Sequence, residues 1–374
     1  MRLTYHSHPV PIAVMGLSPR WLMEQIGSCN PRAVAWILAR QCLAENGRCP
    51  RLLVLNAERD FYMKISNRPS PHPLDYDWRF DEKCIKNIID TFDGETKILC
   101  LGTPSISERL IGEDYILVDW HPIQTADNHL KLNLNIHSVI KTDAKFVVMD
   151  PPWYLDIYYR WISWACNAVT PPAKILFPIW HDDTRPLAKK EKEELFNWLS
   201  LYGNFTIEKN SITYVSSQFE TNSNLTFKNK KNRRVADLVS FSIISKPLLH
   251  PPILQNENWT RYIFDDYQLA IRTEPKPLLK NENQDEMKIS FVDGLNSWIF
   301  PSVSKRASGR NSINIWSSEN EAGIINQPEK LILILDNAIE NGFTEKNISE
   351  LREIRQWDIP LPPFKRVLKW YQKS

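Results

Sequence analysis

Short apolar runs alternate with amphipathic segments through the middle of the chain. Apolar runs of about four to eight residues between turn residues are typical of buried strands, whereas longer segments with helical periodicity are typical of helices. On this basis seven strands are predicted, at Lys97–Leu101, Tyr115–Asp119, His129–Leu134, Lys145–Asp150, Lys174–Ile179, Phe205–Val215 and Val235–Ile244. Helices are predicted at Asp81–Phe92, Tyr154–Val169 and Pro186–Tyr202.

The order of these elements predicts an α/β fold. Strands that alternate with helices indicate a parallel sheet with helices on both faces. No helix is predicted between the last two strands, so we expect them to form an antiparallel hairpin at the sheet edge.

The pattern also divides the chain into three predicted parts. Residues 1–95 are predicted to be a mostly helical N-terminal region, 96–247 the α/β domain and 248–374 a separate α+β C-terminal module. Within that module we expect a strand-like run at Arg261–Arg272 and a second apolar run at Leu331–Leu335. A final helix with a basic, Trp-Tyr-containing end is expected at the C-terminus.

Composition and charge exclude several classes of protein. Lys plus Arg number 46 and Asp plus Glu 44, for a net charge of +2, which excludes a globally basic nucleic-acid coat but leaves local basic patches open. No apolar run approaches the ~20 residues of a membrane span, so no membrane association is expected. The six cysteines form no Cys-x-x-Cys pair, so we expect no metal site and a reducing, cytoplasmic location.

The sharpest chemical motif is Asp150-Pro151-Pro152-Trp153, which directly follows a predicted buried strand. Ligands of open α/β sheets bind at the carboxyl ends of the strands. An ordinary alternative is a strand-to-helix turn in which Asp caps the helix and Pro opens it. The four residues together, at this position, favour a chemical role.

That role follows from the chemistry of an exocyclic amine. Such an amine is a poor nucleophile because its lone pair is delocalised into the ring. A carboxylate and a backbone carbonyl can each accept one amine hydrogen and stabilise the positive charge that develops during attack. The aromatic ring offers a stacking surface worth about 1–3 kcal/mol per base. We therefore predict that Asp150, Pro151, Pro152 and Trp153 hold a target amine.

Two weaker signals indicate a cofactor site. Gly102 follows the first strand of the α/β domain, but the turn lacks the Gly-x-Gly-x-x-Gly pattern of dinucleotide sites. S-adenosylmethionine has no phosphate and needs less of that glycine cradle. Asp119 ends the next strand, where an acidic side chain can accept hydrogen bonds from ribose hydroxyls.

Together these signals resemble a known family. The order of the Gly102 turn, Asp119 and the Asp-Pro-Pro-Trp motif resembles the class I, Rossmann-like S-adenosylmethionine-dependent methyltransferases. The segment Tyr76–Leu110 is similar to the N6-adenine methyltransferase family that includes a zinc-finger ribosomal RNA adenosine enzyme. The resemblance covers about residues 76–245 and lacks the zinc modules. It implies a cofactor site formed by Cys100, Gly102, Thr103, Pro104 and Asp119.

Target binding is predicted from aromatic and basic residues near the same edge. Tyr154 and Trp180 are candidates for contact with the base, although packing is as good an explanation for Trp180. The segment 228–234 carries five basic residues, and we expect it to contact phosphates or to be a solvated loop tip: Lys228, Lys230, Lys231, Arg233 and Arg234. The C-terminal module is a candidate for target recognition or for docking a protein partner.

The predicted function is methyl transfer from S-adenosylmethionine to an exocyclic amine, with adenine N6 in RNA or DNA as the favoured target. Transfer would be a direct displacement with no covalent enzyme intermediate. The alternatives are a guanine N2, cytosine N4 or protein-lysine amine target. A further alternative is an inactive nucleic-acid-binding subunit with the same fold.

Overall fold

The computed structural model describes residues 68–92, 97–110, 114–121, 128–227, 235–254, 258–274, 287–354, 357, 360 and 362–372. These residues belong to one compact unit, 67–374, which contains two β-sheets. The predicted N-terminal helical region therefore lies mainly outside the described residues. No helix among the residues described here is long and apolar enough to cross a membrane.

The first sheet is the predicted α/β sheet. Its strands are β1 (Lys97–Leu101), β2 (Asp114–Asp119), β3 (His129–Lys131), β4 (Phe146–Met149), β5 (Lys174–Ile179), β6 (Gly203–Thr213) and β7 (Val235–Ile243). Their order is β3-β2-β1-β4-β5-β7-β6, and only β7 runs antiparallel to its neighbours. All seven predicted strands are present, and the Rossmann-like α/β fold class is confirmed.

Helices cover both faces of this sheet. They are α1 (Glu82–Asp90), α2 (Pro104–Ser107), α3 (Leu155–Ala168), α4 (Ala188–Leu199) and α5 (Gln218–Phe227). Successive side chains of a strand point to opposite faces. Leu99 and Leu101 of β1 therefore pack in the core that contains α3 and α4, while Ile98 and Cys100 pack with α1. Burial on both faces explains why these strands are almost continuously apolar.

The edge of the sheet differs from the predicted hairpin. Strands β6 and β7 are antiparallel as expected, but α5 intervenes between them and β7 lies between β5 and β6. The sequence of α5 is mostly polar, and Phe219 is its one fully buried large side chain. Its weak apolar periodicity explains why the helix could not be predicted.

The second sheet lies C-terminal to the first in sequence and is antiparallel. Its strands are β8 (Trp259–Phe264), β9 (Tyr267–Ile271), β10 (Ile289–Ser290), β11 (Ile315–Ser317), β12 (Ala322–Ile325) and β13 (Val367–Gln372), in the order β10-β12-β11-β9-β8-β13. Helices α6 (Pro328–Asn341) and α7 (Glu345–Glu353) pack against it. The predicted run Arg261–Arg272 contains most of the β8–β9 hairpin, and Leu331–Leu335 lies within α6.

The predicted terminal helix is wrong. Residues Val367–Gln372 form β13, which pairs antiparallel with β8 along its whole length. Pairing with a strand about a hundred residues earlier decides this conformation, and no local pattern encodes such a partner. The predicted division at residues 95 and 247 stays a prediction.

Residues 68–79 connect the second sheet to the α/β part of the protein. They also form part of the wall of the cavity that lies at the ends of β1, β2 and β4. The Ser70 N–H donates to the Asp266 carbonyl at the β8–β9 turn, 2.9 Å away. The Arg68 Nε donates to the Glu108 carboxylate, at 2.9 Å, just after α2. Sequence periodicity could not predict this connection because the segment has little regular structure.

Candidate active site

A cavity lies at the carboxyl ends of β1, β2 and β4, where a parallel sheet places its ligands. Five of the predicted site residues line this cavity: Gly102, Pro104, Asp119, Asp150 and Pro152. The structure therefore brings together the glycine turn, the acidic strand end and the Asp-Pro-Pro motif. Other wall residues come from the 68–79 segment and from the second sheet.

Gly102 is required by both conformation and packing. Its φ of +62° lies in the left-handed region. A Cβ at this position would lie 2.7 and 2.8 Å from two ring atoms of Trp161, a residue of α3. The turn after β1 therefore keeps its backbone close to α3 and open to the cavity.

Asp119 ends β2 with its carboxyl group facing the cavity. One carboxylate oxygen accepts a hydrogen bond from the His121 N–H at 2.8 Å. Burial raises the pKa of this carboxyl, and nearby His121 opposes the shift. The remaining acceptor capacity of Asp119 suits hydroxyl donors of a ligand.

Two predicted cofactor residues do not line the cavity. Cys100 is fully buried in the core with α1, and burial raises the pKa of its thiol to about 12. Thr103 is also buried, and its hydroxyl donates to the Val148 carbonyl at 3.4 Å. These placements correct the predicted contacts: Cys100 points into the core because β1 alternates its side chains between two covered faces, and the Thr103 hydroxyl is bonded to β4.

Asp150 follows β4, and its N–H donates to the Leu101 carbonyl at 3.3 Å. Its Oδ1 accepts a hydrogen bond from the Tyr214 hydroxyl at 3.1 Å. Burial raises the pKa of Asp150 to about 8; the Tyr214 hydrogen bond opposes this shift and Asp77 adds to it. A carboxyl group that titrates near neutral pH in a cavity is typical of a functional site.

The two prolines leave one backbone acceptor open. The Pro152 carbonyl accepts from the Tyr154 N–H at 2.6 Å. Within the described part of the chain, no donor is hydrogen-bonded to the Pro151 carbonyl. The Trp153 ring is partly buried and meets the Tyr214 ring edge-on, with centroids 6.1 Å apart. Tyr214 therefore contacts both the Asp150 carboxyl and the Trp153 ring.

The two predicted aromatic contacts, Tyr154 and Trp180, differ in burial, and neither lines the cavity. Tyr154 is partly buried, and its ring lies edge-on to Tyr76 at 5.8 Å. Trp180 is fully buried and donates from Nε1 to the Ala188 carbonyl at 2.9 Å. The prediction that Trp180 contacts a base is therefore wrong, because its indole packs against Tyr158 in the core.

The basic segment 228–234 lies outside the described residues, together with Lys228, Lys230, Lys231, Arg233 and Arg234. Its flanks are described: α5 ends at Phe227 and β7 begins at Val235. Because β7 runs antiparallel to β5, its first residues pair near Ile179, at the carboxyl edge of the sheet. A phosphate-binding role for the segment stays a prediction.

Comparison with known proteins adds little to this geometry. No protein-family model matches the chain, and no curated protein sequence is similar to it. A branched-chain polyamine synthase from Thermus thermophilus aligns over 54% of this chain and 67% of its own, with 11% identity and a TM-score of 0.42.

Two methyltransferase structures also align. The N-methyltransferase NodS from Bradyrhizobium japonicum, with S-adenosylhomocysteine, covers 50% of this chain and 98% of its own at 12% identity and TM-score 0.33. A tRNA methyltransferase from Aquifex aeolicus covers 46% and 72% at 10% identity and TM-score 0.31. All three TM-scores are below 0.5, so the fold assignment depends on the strand order itself.

Several wall residues could not be recognised from sequence. Asp77 accepts from Arg79 Nε and Nη2 at 3.1 and 3.0 Å, and Arg68 lies 3.7 Å away. Burial opposes ionisation of Asp77, but the two arginines outweigh it and lower its pKa. Asp77, Trp78 and Arg79 belong to the segment that resembles the methyltransferase family, but only the tertiary structure shows that they line the cavity.

The second sheet completes the wall. The Asp75 carboxylate accepts from Nη1 and Nη2 of Arg261 in β8, both at 2.9 Å, and both side chains are almost fully buried. Arg261 also donates to Gln268, another wall residue, at 2.9 Å. Trp370 of β13 packs edge-on against Trp120, with centroids 4.9 Å apart. The C-terminal strands thus support residues on both sides of the cavity.

Gly102→Ala is expected to destabilise the protein by about 1–3 kcal/mol, because the new methyl group overlaps the Trp161 ring at a left-handed backbone position. Denaturant unfolding measures this loss. Gly294→Ala is the control, since its φ of +81° is also positive but nothing lies within 4 Å of its Cβ. Equal losses for the two variants would contradict the packing argument.

Proposed function

We propose that this chain is a methyltransferase that moves a methyl group from S-adenosylmethionine to an exocyclic amine, with adenine N6 in nucleic acid as its target. The observation that carries the proposal is the position of Asp150. Its carboxyl lies in the wall of the same cavity as Gly102, Asp119 and Pro152, and Tyr214 contacts both this carboxyl and the Trp153 ring.

The residues of the cavity fit S-adenosylmethionine. The open Gly102 backbone permits close approach, and Asp119 has acceptor capacity for the two ribose hydroxyls. Arg68 and Arg79 offer cations for a carboxylate, while Asp77 offers an acceptor for an amino group. Once bound, the sulfonium supplies an electrophilic methyl group.

The Asp-Pro-Pro-Trp motif would hold the nucleophile. Asp150 accepts one amine hydrogen and the Pro151 carbonyl accepts the other, which orients the nitrogen lone pair and stabilises its developing positive charge. The surplus amine proton leaves after transfer, so Asp150 need not act as a strong base. Tyr214 holds the carboxylate in place through its hydroxyl.

Nucleic acid is favoured as the substrate by the aromatic and basic surroundings. Partly buried Trp153 and Tyr154 adjoin the amine position and can stack on a flat base. Extrusion of a base from a duplex costs a few kcal/mol, which stacking of about 1–3 kcal/mol per base partly offsets. The basic segment 228–234 leads into this edge of the sheet and would contact phosphates.

The deciding experiment is an incubation with methyl-labelled S-adenosylmethionine and separate pools of DNA, RNA and protein. Digestion and mass spectrometry identify the labelled product. We expect N6-methyladenine in a nucleic-acid pool. Label confined to protein lysine would contradict the nucleic-acid target, and absence of cofactor binding by calorimetry would favour an inactive subunit.

Asp119→Ala is expected to weaken S-adenosylmethionine binding about 10- to 100-fold, since hydrogen bonds to a charged group contribute about 1.5–3 kcal/mol. Isothermal titration calorimetry measures the change. The exposed aspartate Asp183 supplies the control variant Asp183→Ala. Unchanged affinity in Asp119→Ala would mean that another residue holds the ribose.

The rate of transfer is expected to depend on the ionisation of Asp150. Burial raises the pKa of Asp150 to about 8, so the neutral form predominates below that pH. The carboxylate stabilises the developing cation better than the neutral acid, so kcat/KM should rise with pH and level off above about 8.

Tyr214→Phe tests the assignment of this ionisation. The Tyr214 hydrogen bond lowers the pKa of Asp150, so its loss should move the rise to higher pH. If kcat/KM of Tyr214→Phe rises at the same pH as in the unmodified protein, the ionisation belongs to another group.

The cytoplasm is our proposed location. The described cysteines, Cys84, Cys100 and Cys166, are buried thiols without disulfide bonds. Disulfides persist in oxidising compartments, whereas buried free thiols are ordinary in a reducing one. Localisation of a tagged full-length chain by fractionation would test this.

A further inference from the structure

A basic loop of the C-terminal module lies against the Asp-Pro-Pro-Trp motif. The loop, Ser302–Gly309, precedes β11 and contains the basic residues Lys305 and Arg306. Its Lys305 N–H donates to the Tyr154 hydroxyl at 2.9 Å. The Lys305 ammonium lies 5.3 Å and the Arg306 guanidinium 5.9 Å from the centre of the Tyr154 ring. Two cations from this loop therefore adjoin the residue that follows Trp153.

Buried side chains fix the conformation of this loop from within. Arg310 is buried and donates to the Val303 carbonyl at 2.8 Å. Directly after the loop, Arg272 donates to the carbonyls of Asn311 and Ile313 at 2.8 and 2.6 Å and thereby holds the end of the loop. Because the backbone is held in place, Lys305 and Arg306 are presented with little loss of conformational freedom on binding a ligand.

Arg306 of this loop shares one carboxylate with another arginine. Arg306 is exposed, and its nearest carboxylate is Glu191, at 3.8 Å. Glu191 also pairs with Arg185, so two guanidinium groups share one carboxylate. Bringing like charges together on one rim is unfavourable, and an anion that binds there relieves the repulsion.

We propose that the Ser302–Gly309 loop binds backbone phosphates beside the target nucleotide, through Lys305 and Arg306. The inference rests on the proposed function and assigns target binding to the C-terminal module. A base that stacks near Trp153 and Tyr154 leaves its own phosphodiester at the rim. Lys and Arg contacts to phosphates position a strand without reading its sequence, so the loop supplies affinity and orientation rather than base choice.

Salt-dependent binding of nucleic acid tests this assignment. The variant is Lys305→Gln/Arg306→Gln, and the probes are fluorescent single-stranded DNA and RNA oligonucleotides followed by anisotropy. The control is Lys346→Gln/Arg352→Gln, which removes one Lys and one Arg from exposed positions of α7. Both double variants change the net charge equally, so a difference between them reports position rather than overall charge.

On a single strand each phosphate contact contributes about 0.7 to the slope of log affinity against log salt. Loss of both contacts should lower that slope by about 1.4 and weaken binding about 25-fold near 0.1 M salt. The control should retain a steeper slope than the loop variant. Affinity for S-adenosylmethionine should remain that of the unmodified protein in both variants.

Labelling the same oligonucleotides separates failure of the inference from failure of the proposed function. If the unmodified protein methylates them while the two double variants have equal slopes, the loop assignment is overturned and the proposed function stands. If the unmodified protein neither binds nor methylates nucleic acid, both are overturned. A lower slope in the loop variant alone, with an active unmodified protein, supports both.

Discussion

Asp150→Ala is expected to abolish methyl transfer while S-adenosylmethionine binding remains near normal. Loss of a preorganised group that stabilises developing charge costs about 100- to 1,000-fold in kcat. Asp150 is placed to contact the amine, whereas Asp119 is placed to contact the ribose. The rate should therefore fall without a matching change in cofactor affinity, measured by a labelled-methyl assay and calorimetry.

Asp150→Ala should not fail through unfolding. The carboxyl is buried with a raised pKa, so ionisation above the unfolded-state pKa of about 4 disfavours the folded state, and its removal relieves that cost. Asp183→Ala, an exposed change at the same edge of the sheet, should leave turnover unchanged. Normal turnover in Asp150→Ala would eliminate the amine-holding role.

Arg261→Met is expected to lower the free energy of unfolding by about 3–5 kcal/mol, since it leaves the buried Asp75 carboxylate with His121, whose Nε2 lies 3.5 Å away, as its remaining charged neighbour. Both side chains of this pair are almost fully buried. Burial opposes ionisation of Asp75, but Arg261 and His121 together outweigh it and hold the Asp75 pKa well below its usual range. Urea unfolding measures the loss.

The pair also predicts a pH dependence of stability. A depressed folded-state pKa gives stability that is present above the unfolded pKa of about 4 and is lost as pH falls below it. Arg261→Met should reduce that acid-sensitive contribution to the part that His121 supplies. Lys86→Met, in the exposed pair with Asp90 of α1, should change stability little.

A double-mutant cycle completes this test. Asp75→Asn/Arg261→Met removes both charges and should be more stable than Arg261→Met alone. Additive losses from the two single changes would mean that the pair does not couple. Because Asp75 lines the cavity, Arg261→Met should also weaken cofactor binding, which would tie the C-terminal sheet to the site.

Local sequence was sufficient for the strands of the first sheet, although not for the helix α5 at its edge. Strands such as β1 and β5 are apolar along their whole length because helices cover both faces, and that pattern predicts their bounds directly. The Asp150 motif follows β4, so the position of its carboxyl at the carboxyl edge also follows from sequence. Side-chain direction within a strand explains why Cys100 points away from the cavity that Gly102 adjoins.

Contacts between distant segments required the tertiary structure. Tyr214 reaches Asp150 across 64 residues, and Lys305 reaches Tyr154 across 151. Whether Trp180 packs or binds depends on what surrounds it, and pairing with β8 makes the C-terminus a strand. Sequence by itself thus determined the α/β sheet and the place of its Asp-Pro-Pro-Trp motif, because burial leaves a local apolar pattern. Tertiary structure decided which remote side chains complete the site, because no local pattern records the partner of a long-range contact.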